Sequence, residues 1–117
     1  MNILRLYTGD DGESHFEDIE ISLIDRGGGI GSISDLEGAT GVLFRETGGD
    51  YNFGFHNAPR RQYVISLDAS VEIEIGDGTK RVLSPGDILL AEDTTGHGHI
   101  SRSLDGKPRR SVFVTLD

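Results

Sequence analysis

The stretch whose reading decides the fold is Val71-Glu72-Ile73-Glu74-Ile75-Gly76-Asp77-Gly78-Thr79-Lys80-Arg81-Val82-Leu83, continuing as Ser84-Pro85-Gly86-Asp87-Ile88-Leu89-Leu90-Ala91. Strict apolar/polar alternation over residues 71–75 is the period of a half-buried strand. Gly76-Asp77-Gly78 supplies residues that turn at no steric cost, so the chain folds back into residues 79–83 as a hairpin. Ser84-Pro85-Gly86-Asp87 places Pro and Gly where a tight turn wants them. The unbroken apolar run Ile88-Leu89-Leu90-Ala91 then reads as a core strand.

Working outward, residues 62–67 form the strand before this hairpin. Tyr51, Phe53 and Phe55 alternate with Asn52, Gly54 and His56, which sets the aromatics on one face and His56 on the other. Residues 39–47, 97–103 and 111–116 also read as extended. In the N-terminal third, residues 3–7 suggest a strand, and Glu20-Ile21-Ser22-Leu23 is the clearest alternating piece. Ser34-Asp35-Leu36-Glu37 is at most one turn of helix. Nowhere does a helical period persist for three turns. The 117 residues, 17 of them Gly against a usual share of about 7%, therefore predict one all-β domain over 1–117 with nine or ten short antiparallel strands and little or no helix.

Composition excludes several functions. There is no cysteine, so disulfides and thiolate metal sites are ruled out. A formal charge of -9 repels phosphate backbones and argues against nucleic acid. No apolar leader or membrane-length run is visible, which makes a cytoplasmic location the expectation. Gly27-Gly28-Gly29-Ile30-Gly31 lacks the Gly-Lys-Ser/Thr and the βαβ setting of a phosphate loop, and reads as a surface loop.

Residues 40–103 resemble the cupins, small jelly-roll barrels. Leu83-Ser84-Pro85-Gly86-Asp87-Ile88-Leu89-Leu90 is similar to the opening of the second cupin motif, whose later histidine falls on His99. The first motif matches in part: His56 takes the place of its first histidine, Ala58 replaces the second, Gln62 the glutamate and Ala69 the glycine. The resemblance implies a double-stranded β-helix barrel holding a divalent transition metal (Fe, Mn, Ni or Zn) on His56, His99 and Gln62. His97 is a further candidate ligand, as are Glu92 and Asp93 if they turn inward. Two imidazoles and one neutral amide make a reduced donor set, because an amide brings no charge to offset dehydration of the cation.

Arg60 and Arg61 lie beside this cluster and suit a carboxylate. With Tyr51 and Glu92 they complete the candidate substrate-binding residues. The functions in view are a metal-dependent cupin enzyme acting on an organic acid or sugar, a metal-free small-molecule-binding module, and a metal-independent epimerase-like enzyme with His56 as base and Tyr51 or Tyr63 as acid. A homodimer is expected, since residues 62–67 are apolar on both faces.

Overall fold

The computed structural model describes residues 1–117 as twelve strands and no helix. They are β1 (Asn2–Thr8), β2 (Ser14–Glu20), β3 (Ile24–Asp25), β4 (Ser32–Ile33), β5 (Gly41–Thr47), β6 (Asn52–His56), β7 (Gln62–Ser66), β8 (Val71–Glu74), β9 (Lys80–Leu83), β10 (Ile88–Glu92), β11 (His99–Ser103) and β12 (Arg109–Thr115). A six-stranded sheet runs β2-β1-β10-β7-β12-β5, and a four-stranded sheet runs β6-β11-β8-β9. The small β3-β4 pair carries the Gly27–Gly31 loop between its strands, with every residue of that loop exposed.

Three expectations are corrected. There are twelve strands, because the isolated pair β3-β4 adds two to the count. The strands are not all antiparallel: β1 pairs β10 in parallel, Leu4 opposite Leu89 and Leu6 opposite Ala91. The alternation at Glu20–Leu23 is not a strand, since β2 ends at Glu20 and the next three residues leave the sheet.

The hairpin and turn form as read. Val71 pairs Leu83 and Glu74 pairs Lys80. At Ser84–Asp87 the Asp87 amide donates to the Ser84 carbonyl at 3.0 Å. Pro85 sits at the second position of this turn, and Gly86 at the third has φ of 89, the pattern of a type II turn that needs glycine there.

The core lies between the two large sheets. Leu4, Leu6, Val64, Leu89 and Ala91 project from one, and Val71, Ile73 and Leu83 from the other. Each Leu, Ile or Val among them contributes about 1.5–3 kcal/mol by leaving water. The register aligns Leu4, Leu89, Val64 and Phe113 across four strands of the larger sheet on the inward side. The neighbouring row, Ile88, Ile65, Val112 and Phe44, faces outward and is also apolar, with Phe44 82% exposed. No helix is long and apolar enough to cross a membrane.

Candidate functional site

Toward one side of the core the sheets stand apart and leave a cavity of ≈ 340 Å³. Its floor is apolar: Val64, Val71, Ile73, Leu83, Leu89 and Phe113. Onto this floor the strands project two polar clusters, one of histidines and one of arginines.

The histidine cluster starts from β10 and its exit. Ala91 points inward and Glu92 outward, so alternation returns Asp93 to the interior, where it is fully buried. Asp93 Oδ2 accepts hydrogen bonds from His99 Nδ1 at 2.6 Å and from Ser14 Oγ at 2.8 Å. A carboxylate on Nδ1 fixes the ring's orientation and leaves its Nε2 without a protein partner. His99 itself is 6% exposed and lines the cavity.

His56 stands opposite His99 in the β6–β11 pairing, with ring centroids 4.4 Å apart. Its Nδ1 donates to the Gly54 carbonyl at 2.7 Å. Strict alternation would send Phe53 and His56 to opposite faces. Here β6 takes three steps from Phe53 to His56 while β11 takes two from Ser101 to His99. This bulge turns both side chains into the cavity, with rings 3.9 Å apart. Burial lowers the His56 pKa below its ordinary value, and His99 and Arg45 add to the effect against the opposing pull of the Gly54 bond. The ring is therefore neutral at pH 7, with Nδ1 protonated and Nε2 free to accept.

Gly98 separates the two histidines of β11's start for a steric reason. It has φ of 82, and a Cβ there would collide with the His56 carbonyl oxygen. That close crossing carries His99 inward and leaves His97 outside, where it stacks on Phe55 and bonds Glu13 at 2.8 Å.

The arginine cluster comes from adjacent strands β5 and β12. Arg45 lies opposite Ser111, and Arg109 is two residues further along on the same face. The two guanidiniums approach the Tyr51 ring at 5.4 and 5.5 Å, and Arg45 also covers Phe113 at 4.7 Å. The Tyr51 hydroxyl bonds Ser101 Oγ at 2.7 Å, linking the arginines to the strand that carries His99. Burial, then the charge of Arg45, holds the Arg109 pKa below its ordinary value.

Of the residues singled out from sequence, the structure brings His56, His99, Gln62 and Tyr51 into one cavity. Gln62 is 3% exposed, and its Oε1 has no partner. Arg60, Arg61, Glu92 and His97 do not line this cavity. Arg60 is exposed. Arg61 and Arg5 clamp Glu92 from the outer surface, each at 2.6 Å, because Glu92 falls on the outward phase of β10. Arg45 and Arg109 were not singled out at all. The available signal was that Arg109-Arg110-Ser111-Val112-Phe113 alternates in two phases, and the less apolar phase is the inward one.

The donors do not fit a resident divalent metal. No group of three or more His, Cys, Asp or Glu side chains is placed to hold one. His56 and His99 have only the neutral Gln62 beside them as a further cavity donor from the expected set, and Asp93 bonds the far side of the His99 ring. Two guanidiniums lining the same cavity oppose a dication.

No protein-family model and no curated protein matches the chain. Solved structures do match. The protein NMB1881 from Neisseria meningitidis aligns over 84% of this chain and 84% of its own, at 14% identity and a TM-score of 0.50. An ethanolamine utilization protein Q from Salmonella typhimurium LT2 aligns over 99% and 95%, at 12% identity and a TM-score of 0.51. At these identities the likeness concerns the backbone alone, and it establishes that this chain has the all-β, cupin-like fold.

Proposed function

We propose that the cavity is a metal-independent proton-transfer site for a small metabolite, of the epimerase or isomerase type. The observation that carries this reading is the buried Asp93–His99 pair, with His99 Nε2 unpartnered at the cavity wall. A carboxylate bound to Nδ1 supports the positive charge that the imidazole gains when Nε2 takes a proton. The proton comes from a carbon next to a carbonyl. The C–H electron pair becomes the C=C bond of an enolate while the C=O π pair moves onto the oxygen, and a proton returned to carbon reverses both shifts and restores the ketone or acid.

The return acid on this reading is the Tyr51 hydroxyl, which Ser101 holds in place. His56 stays neutral beside His99, so no second positive charge opposes the proton that Nε2 takes up. This moves the base from His56, as expected from sequence, to His99, because only His99 has a carboxylate behind it.

The test is deuterium incorporation. The protein is incubated in D2O with small 2-oxo acids, 2-hydroxy acids and ketoses, and exchange at carbon is followed by proton NMR. Exchange that disappears in His99→Gln and falls strongly in Asp93→Asn supports the reading. Binding of the same compounds without exchange would reduce the protein to a binding module, and exchange that survives both substitutions would remove His99 as the base.

A further inference from the structure

We infer that Arg45 and Arg109 form a carboxylate-binding site, and that the ligand of the cavity is a small organic acid with a short, largely apolar body. This rests on the reading of the cavity as a metabolite site and specifies its substrate class.

The first support is an absence of acids where the chain has many. Arg5, Arg26, Arg61, Arg81, Arg102 and Arg110 each meet an Asp or Glu within 4.0 Å. Asp and Glu outnumber Lys and Arg by 20 to 11. Arg109 is nevertheless 5% exposed with no acid, and its Nε and Nη1 lack any partner, as does Arg45 Nε. A buried charge without a counter-ion carries an uncompensated desolvation penalty. Placing a second arginine diagonally beside it on the neighbouring strand adds repulsion.

The second support is geometric. The guanidinium carbons lie 4.7–5.5 Å from the Tyr51 and Phe113 ring centres, and these rings bring no hydrogen-bond acceptor to Arg109 Nε and Nη1 or Arg45 Nε, which leaves those N–H groups for a ligand. Two such groups match the two oxygens of a carboxylate, which would supply the missing charge. Gln62 Oε1, buried and unpartnered in the same wall, is an acceptor for a hydroxyl elsewhere on the ligand.

The third support is the size and lining of the cavity. A volume of ≈ 340 Å³ stands at the low end of the range of about 300–1,000 Å³ for ligand sites. The cavity walls around the arginines are aliphatic: Val64 and Leu89 lie on the arginines' own sheet, and Val71, Ile73 and Leu83 on the opposite one. They suit a monoanion with a short carbon chain better than a strongly hydrated dianion, whose desolvation costs more.

The experiment is calorimetric titration with butyrate, 2-oxobutyrate and 2-hydroxybutyrate, with butyramide and inorganic phosphate alongside. It is run on the unaltered protein and on Arg45→Met, Arg109→Met and Arg61→Met, each first shown to be folded by circular dichroism. Arg109→Lys replaces Arg109→Met if the latter does not fold. At least one carboxylate is expected to bind, butyramide about tenfold or more weaker than butyrate where butyrate binds, and affinity to fall about tenfold or more in the Arg45 and Arg109 variants but not in Arg61→Met. The proposal is overturned if none of the carboxylates binds, if phosphate binds in their place, if the amide matches the acid, or if both cavity variants bind like the unaltered protein. The outcome separates from the proton-transfer reading. Arginine-dependent binding without deuterium exchange keeps the carboxylate site and removes the chemistry, whereas exchange on a neutral ketose that ignores both arginines does the reverse.

Discussion

The two polar clusters of the cavity are built on opposite terms. In the histidine cluster the interior supplies its own partners: Asp93 takes bonds from both His99 and Ser14 without help from a ligand. In the arginine cluster Arg45 and Arg109 share an aromatic ring and no acid. The first bonds its carboxylate to protein donors in the free protein, with Asp93 Oδ1 and His99 Nε2 left unbonded, whereas the second meets a counter-charge only when something negative enters. The outer pair Arg5 and Arg61, which share Glu92, shows what the same side chain does when an acid is at hand.

The largest effect is expected from making the histidine cluster resemble the arginine one. Asp93→Ala strands the donors of Ser14 and His99 inside the protein and should cost about 3 kcal/mol, read from urea denaturation. The opposite change is next. Arg109→Met removes a buried charge that the free protein does not compensate, and should raise stability by about 1–2 kcal/mol with no ligand present. A drop in the melting midpoint would mean that Arg109 is already neutralised, and the contrast between the clusters would disappear.

Smaller effects belong to pH and to the surface. His56 has a folded pKa below its ordinary value, so the unfolded chain takes up its proton first as pH falls below about 6.5. Stability should decline across that window, down to the folded pKa, and His56→Gln should flatten the profile of melting midpoint against pH. Glu92→Gln should cost less than about 1 kcal/mol, because its partners are solvated. Burial raises the Glu92 pKa, but the bonds from Arg5 and Arg61 outweigh it and hold the carboxyl below its ordinary value. Its contribution is therefore present above about pH 4.5 and is lost as pH falls through the folded value.

Much of the fold was legible because its turns are chemically explicit. Pro85-Gly86 and Gly76-Asp77-Gly78 can do little else, and they fix the hairpin and the entry into β10. His56, His99 and Gln62, picked by their motif positions, do line one cavity, as does Tyr51, which lies outside the motif. The arginines were not picked. β5 and β12 are apolar in both phases, so Val112 and Val114 looked like the buried set, while the phase of Arg109, Ser111 and Phe113 is the one turned inward. The usual preference of apolar residues for the inside could not choose between two apolar faces. The bulge in β6 defeated the alternation at Phe53–His56 for a different reason: an extra residue leaves no mark in composition. Arg60 and Arg61 drew attention by sitting beside a motif, yet adjacency in sequence says nothing about which side of a strand a residue faces.

The parallel pairing of β1 with β10 also shapes how the molecule comes together. The first strand can close on β2 as soon as both exist, but its other edge finds Leu89, Leu90, Ala91 and Glu92 only after most of the chain has been made. At a synthesis rate of about 5–20 residues per second that edge stays open for several seconds on a nascent chain. Joining distant segments also raises the contact order and slows folding. The cavity, walled by strands from both large sheets, is accordingly among the last parts of the molecule to take shape.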